Sequence, residues 1–179
     1  MLELKLPVIL AAVQIYDPTL LISEFTGPLD ISDPGRPPNY VLNWNLGQAS
    51  VRGLPSSLER GSLVLDVPTA RDPRLVGSDT IFRGQRVELH GRLAPGSTRD
   101  NPMVEAVLRV AAGVAPHLHP ATTKPTDADI AAVVHGVTDV APRSWPQRFK
   151  EWQERGGHVD ISKARIQQDD VIAVGAGTL

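Results

Sequence analysis

Polar and apolar residues alternate along the stretch Arg86-Val87-Glu88-Leu89-His90-Gly91-Arg92-Leu93. Because successive side chains of a β-strand point to opposite faces of a sheet, this stretch turns its valine and leucines to one side and its charged residues to the other. The same period of two occurs in two earlier stretches, Leu63–Val67 and Tyr40–Leu46. Such alternation predicts half-buried antiparallel strands.

Weaker strand patterns lie on both sides of these stretches. They cover Leu2–Leu6, Ile9–Ile15, Thr19–Phe25, Gln48–Arg52, Val104–Val114, His158–Ile166 and Val171–Leu179. The 15 glycines and 16 prolines fall mainly between the strand patterns, in loops such as Pro28–Pro38 and Ala94–Pro102. This order is typical of a meander of strands rather than of alternating strands and helices.

The segment Thr126–Val140 admits two interpretations. Thr126 with an acidic residue three positions later can open a helix, whereas Ile130, Ala132 and Val134 repeat with the period of a strand. We favour the strand.

One segment has helical spacing instead. Trp145, Phe149 and Trp152 stand at positions i, i+4 and i+7, which share one face of an α-helix. Ser144 can cap the N-terminus and Gly156-Gly157 can end the helix, so we predict one amphipathic helix near 144–156. We interpret its aromatic stripe as core that packs on the sheet. The alternative is a surface that contacts lipid or a protein partner.

Together these patterns predict a mainly β fold of the α+β kind, with a long antiparallel sheet of about 8–10 strands and the one helix packed on it. Residues 1–179 fit a single domain. Strand-like patterns reach Leu2 and Leu179 without a polar tail at either end. We therefore expect a longer protein, with an N-terminal anchor before this sequence and a continuation after it.

Composition argues against several functional classes. A formal net charge of -2, with both signs interspersed, argues against nucleic-acid binding. The absence of cysteine excludes thiolate metal sites and thiol nucleophiles. No stretch approaches the roughly 20 apolar residues of a transmembrane helix, so we expect membrane association only through a segment outside this sequence. No cofactor is predicted, because the glycines near Gly175 lack the rest of a dinucleotide-binding loop.

The best metal candidate is the pair His117 and His119, since two histidines at i and i+2 of a strand share one side. Zinc would need a third ligand. The residues that could supply it are Asp127, Asp129 and His135. Prolines at 116, 120 and 125 favour a surface loop instead, so we predict no metal site there. Since no Gly-x-Ser-x-Gly elbow is present either, we predict no catalytic residue and no enzymatic activity.

Two stretches resemble a known superfamily. Trp152–Ile161 is similar to the step of tryptophan, short spacer, glycine and strand in AsmA-like bacterial envelope proteins, and Val171–Leu179 resembles the Gly-Thr-Leu strand that follows it. Arg86–Leu93 fits the same plan, and the nearest likeness is to an uncharacterised branch, a domain of unknown function. The resemblance implies a long curved sheet with a groove, in a periplasmic protein tethered to the inner membrane. Grooves of related proteins are associated with phospholipid handling or outer-membrane assembly.

Three functional hypotheses follow. The first is a non-enzymatic cell-envelope domain that binds a phospholipid or another acyl-chain ligand in an apolar groove, or supports envelope assembly. The second is a protein-interaction module that recruits a partner through an edge strand. The third, ranked last, is a metal-dependent hydrolase built on His117 and His119. The sequence leaves the oligomeric state open.

Overall fold

The computed structural model of the chain describes residues 3–5, 8–14, 17–32, 39–54, 57–76, 79–98, 100–137 and 145–179. Within these ranges the chain forms fourteen strands, one α-helix and one short 3-10 turn at Pro120–Thr123. The strands and the helix are β1 (Glu3–Lys5), β2 (Val8–Gln14), β3 (Asp17–Thr26), β4 (Leu29–Ser32), β5 (Tyr40–Asn43), β6 (Leu46–Leu54), β7 (Ser57–Asp66), β8 (Thr69–Arg71), β9 (Thr80–Arg83), β10 (Arg86–Leu93), β11 (Met103–Gly113), β12 (Thr126–His135), α1 (Trp145–Glu154), β13 (Val159–Gln168) and β14 (Val171–Thr178).

Two antiparallel sheets contain all of these strands. The large sheet has nine strands in the order β14-β13-β12-β11-β10-β7-β6-β3-β2, and the small sheet has five in the order β1-β4-β5-β8-β9. The predicted mainly β fold with a long antiparallel sheet is therefore confirmed. The strand interpretation of Thr126–Val140 is also confirmed as far as His135, and residues 138–140 lie outside the described ranges.

Within the described ranges the chain crosses between the two sheets at four corners, each two residues long. These corners are residues 27–28, 44–45, 67–68 and 84–85. The small core sits at this boundary: Trp44 is 6% exposed, and its ring meets Phe25 edge to face at 5.4 Å between centroids. The Trp44 indole Nε1 also donates to the Phe25 carbonyl oxygen at 3.1 Å. The buried ring of Trp44 thus packs at the corner where the chain passes from β5 to β6.

The corners correct two expectations. Tyr40–Leu46 is not one strand, because Trp44 leaves the strand direction to fill the corner between β5 and β6. Likewise Val67 does not continue β7: its φ of 50° is in the left-handed region and half of its surface is exposed. A period of two cannot reveal such corners, since a corner residue can be apolar like its strand neighbours.

The predicted helix is confirmed as α1. Its Trp152 is half-buried and donates Nε1–H to the carbonyl oxygen of His135 at 2.7 Å, while the indole ring fills the space where a side chain at Gly157 would begin. Phe149 lies edge-on to Trp152 at 6.3 Å between ring centroids but is 57% exposed. The Trp145 side chain and Ser144 lie outside the described residues. Among described residues, no helix is long and apolar enough to cross a membrane.

Candidate functional site: an uncovered apolar face

Strand register brings the apolar side chains of the large sheet onto one face, called here the apolar face. Its central row crosses all nine strands, one residue per strand. The row is Ala11, Ser23, Ala49, Leu63, Leu89, Leu108, Ile130, Ala164 and Gly175. Every member except Ser23 is aliphatic or glycine. The strand register therefore joins the apolar residues that alternate along each single strand into one continuous apolar surface.

Neighbouring rows have the same character. One of them contains Leu65, Val87, Val110, Ala128, Ile166 and Ala173. Another contains Val51, Gly61, Gly91, Ala106, Ala132 and Ile161. No charged side chain stands in any of these three rows. Since β-sheet pairing already satisfies the backbone, the surface offers almost nothing that hydrogen-bonds.

The apolar face is largely uncovered by the part of the chain that the structure describes. Leu21, Leu89, Leu93 and Ile166 keep between 43% and 47% of their surface exposed. Large apolar side chains on β3, β10 and β13 therefore remain in contact with water. Contiguous apolar patches of this kind on proteins mark binding surfaces.

The opposite face of the same sheet carries the charged residues. Arg86 lies 2.7 Å from both Asp66 and Glu88, and Lys163 lies 2.5 Å from Asp129. The hydrogen bond from Arg86 holds the pKa of Glu88 below its usual value, and the hydrogen bond from Lys163 does the same to the pKa of Asp129. These carboxylates are therefore ionised partners of cations, whereas an acid–base pair needs two environments that push the pKa values apart.

The predicted metal candidates His117 and His119 lie on the exposed connection between β11 and β12. His119 accepts a hydrogen bond from the Ala121 amide through Nδ1 at 3.1 Å, which caps the 3-10 turn. Neither histidine belongs to a group of three potential metal ligands among the described residues. The structure thus does not bring them together with Asp127, Asp129 or His135.

A different group of three does form, and the sequence analysis missed it. His135, His158 and Asp160 place one potential ligand atom each within 4.8 Å of one another. His158 and Asp160 share a side of one strand by their spacing, which is visible in the sequence. That His135 lies beside them follows from the pairing of β12 with β13, which the sequence alone does not specify.

One comparison with known proteins found a relation. A family model described as "Uncharacterized protein conserved in bacteria (DUF2125)" matches residues 2–179. No curated protein and no solved structure matches the chain. The match spans almost the whole sequence and includes both sheets and the helix. The chain therefore belongs to this uncharacterised bacterial family.

Proposed function

We propose that this chain is a non-enzymatic domain of the bacterial cell envelope whose apolar face binds the acyl chains of a lipid. The observation that carries the proposal is the central row of the apolar face, which runs across nine strands without a charge and in which Leu89 is 47% exposed. Water-exposed aliphatic surface on this scale is unfavourable unless a ligand covers it.

The dimensions of the face suit acyl chains. Nine strands spaced about 4.8 Å apart span about 38 Å from β14 to β2. The hydrocarbon core of a bilayer, which holds two opposed layers of acyl chains, is about 30 Å thick. An extended chain therefore fits along the row with length to spare, and each buried methylene adds about 0.8 kcal/mol to the transfer free energy.

The chemistry of the face favours hydrocarbon over a protein segment. Protein interfaces depend on aromatic and arginine anchors and on about one hydrogen bond per 100–200 Å². The three rows contain no arginine, and Ser23 is their one hydroxyl. Their one aromatic residue is Phe25, which continues the second row through Gly47 and packs against Trp44 at the corner. A ligand that matches such a surface has no polar groups of its own over most of its length.

The proposal also places this domain in the bacterial cell envelope. It is supported by the family's bacterial membership and by the resemblance of Trp152–Ile161 and Val171–Leu179 to AsmA-like proteins. In that setting the sheet would shield acyl chains from water between membranes, or hold lipid while the envelope is assembled. No step of bond breaking is proposed, because the carboxylates described above serve as ion-pair partners.

Binding of a fluorescent fatty acid to the purified full chain tests the proposal. We expect saturable binding that Leu89→Glu weakens at least tenfold, because a carboxylate in the central row must be desolvated beside the chain. Val107→Glu is the matched control: Val107 lies on the adjacent strand opposite His90, on the polar face of the same sheet. Equal binding by both variants, or none by the unmodified chain, contradicts the proposal.

A second candidate function rests on the edge strand β14. All eight of its residues are exposed and none is charged, so the strand lacks the lysines and prolines that usually protect an edge. A partner strand could add to it by main-chain hydrogen bonds. Sedimentation velocity of the full chain and of Ile172→Lys/Val174→Lys distinguishes this function: association that the double variant abolishes supports it, and a monomer at all concentrations argues against it.

A further inference from the structure

The group formed by His135, His158 and Asp160 lies on the polar face of the large sheet, away from the proposed lipid site. His135 is the last residue of β12, His158 immediately precedes β13, and Asp160 is the second residue of β13. The Nε2 atom of His135 lies 3.0 Å from Oδ2 of Asp160, and Nε2 of His158 lies 3.7 Å from the same oxygen. The two imidazole rings are stacked, with centroids 4.2 Å apart.

Hydrogen bonds around the group determine which nitrogen of His158 carries its proton and how the Asp160 carboxylate is oriented. Nδ1 of His158 lies 3.0 Å from the carbonyl oxygen of Gly156, which can only accept, so Nδ1 carries the hydrogen. In the neutral ring Nε2 then presents a lone pair towards the Asp160 carboxylate. Thr178 donates its hydroxyl to Oδ1 of Asp160 at 2.6 Å and fixes the orientation of that carboxylate.

This arrangement leaves two electron-rich atoms facing each other. The Nε2 lone pair of His158 and Oδ2 of Asp160 are too far apart for a hydrogen bond and have no proton between them in the neutral state. A cation held between the three ligand atoms would remove this repulsion, because the lone pair and the carboxylate oxygen would both face a positive charge.

We propose that Nε2 of His135, Nε2 of His158 and a carboxylate oxygen of Asp160 bind a divalent transition metal ion of the zinc class. Two imidazole nitrogens and one carboxylate oxygen are a common protein ligand set for zinc, with water in the fourth position. Outer hydrogen bonds of the kind that orient metal ligands are already made: Nδ1–H of His158 donates to the Gly156 carbonyl oxygen, and the Thr178 hydroxyl donates to Asp160. Binding at about 2.1 Å requires the rings to tilt out of their parallel stacking, because each lone pair lies in its ring plane.

The ion has access from solvent and would have a structural consequence. The three side chains are between 21% and 46% exposed, so water and metal reach them. The chain between His135 and His158 leaves the sheet, contains α1 and returns. A metal bound to both histidines would cross-link the two ends of this segment. The same residue His135 also accepts, through its carbonyl oxygen, the hydrogen bond from Nε1–H of Trp152 in α1.

Calorimetric titration of tag-free, EDTA-treated full chain with zinc chloride tests the site. We expect one ion per chain, and an affinity that His158→Gln or Asp160→Asn lowers at least about tenfold. The double variant His117→Gln/His119→Gln is the matched control and retains the affinity, since these exposed histidines lie outside the group.

Two further measurements keep the result interpretable. Thermal unfolding in EDTA shows whether each variant is folded without metal, and the visible absorption of the cobalt-loaded chain reports nitrogen and oxygen ligation directly. Absence of saturable zinc binding by the unmodified chain overturns the proposal. Binding that survives His158→Gln and Asp160→Asn but is lost in the control variant overturns it as well.

Discussion

Leu89 of β10 and Leu108 of β11 lie directly opposite each other on the apolar face of the large sheet. In an ordinary sheet protein such a pair is the centre of the core. Here Leu89 is 47% exposed, whereas the buried apolar side chains lie near the ends of the strands, for example Trp44, Ala94 and Val114. The large sheet is therefore amphipathic, and its apolar side is exposed at Leu89 while the buried core lies at the corners.

The first prediction concerns the stability of this face. Leu89→Glu changes the free energy of unfolding of the lipid-free chain by less than about 1 kcal/mol, because substitutions at exposed positions away from buried contacts have small effects. Urea denaturation of the delipidated protein measures it. A loss of more than about 3 kcal/mol would mean that the face is covered core, and the lipid proposal would then be wrong.

At the corner between β5 and β6, by contrast, we expect a substitution to lower the free energy of unfolding strongly. Trp44→Ala lowers the free energy of unfolding by about 3–5 kcal/mol, because it removes a 6%-exposed ring, its edge contact with Phe25 and the hydrogen bond to the Phe25 carbonyl. Val76→Ala, at a fully exposed position, should stay within about 0.5 kcal/mol in the same denaturation experiment. Similar small losses in both variants would show that Trp44 does not hold the corner.

Two glycines of the apolar face provide a matched test of packing. A side chain at Gly47 would begin inside the ring of Phe25, so Gly47→Ala forces that ring to move and costs about 1–3 kcal/mol. At Gly175 the equivalent space is open, and Gly175→Ala should be neutral or slightly stabilising, by less than about 1 kcal/mol. Thermal unfolding of both variants measures the difference, and a reversed order contradicts the described corner packing.

Acid stability should depend on the ion pairs of the polar face. The hydrogen bond from Lys163 holds the pKa of Asp129 below its usual 3.8. A carboxyl whose folded-state pKa is depressed stabilises the protein above its unfolded pKa and loses that contribution as the pH falls through the folded value. We therefore expect the melting temperature to fall as the pH drops below about 4, and to fall less steeply in Asp129→Asn. Identical slopes in both proteins would show that this pair contributes nothing.

Salt provides the control for that experiment. The Lys163 and Asp129 side chains are 54% and 31% exposed, so the pair is partly screened by water and ions. In 1 M sodium chloride the slopes of the two proteins should converge. A difference that persists unchanged at high salt would point to a structural defect in the variant.

Much of this fold follows from local pattern. The alternation in Arg86–Leu93 coincides with β10, and the spacing of Trp145, Phe149 and Trp152 coincides with α1. Both patterns depend only on where neighbouring side chains point within one element, which the sequence specifies. The strand β12 could be predicted for the same reason.

The remaining features depend on contacts between distant residues. Trp44 could not be assigned to a corner from its alternation with Leu42 and Leu46, because its role depends on Phe25, 19 residues away. His135 and Asp160 meet only through the pairing of β12 with β13. The apolar face has the same origin: each strand shows its own alternation, but only the register aligns the rows on one side.

The central claim is that the apolar face holds lipid, and mass spectrometry of an organic extract from the purified full chain tests it most directly. We predict phospholipid or fatty acid in a fixed ratio to protein, lost from Leu89→Glu/Leu108→Glu and retained by the polar-face control Val107→Glu. The extract also identifies the headgroup, which separates phospholipid from free fatty acid. An extract without lipid, or one with equal lipid from all three proteins, would contradict the claim.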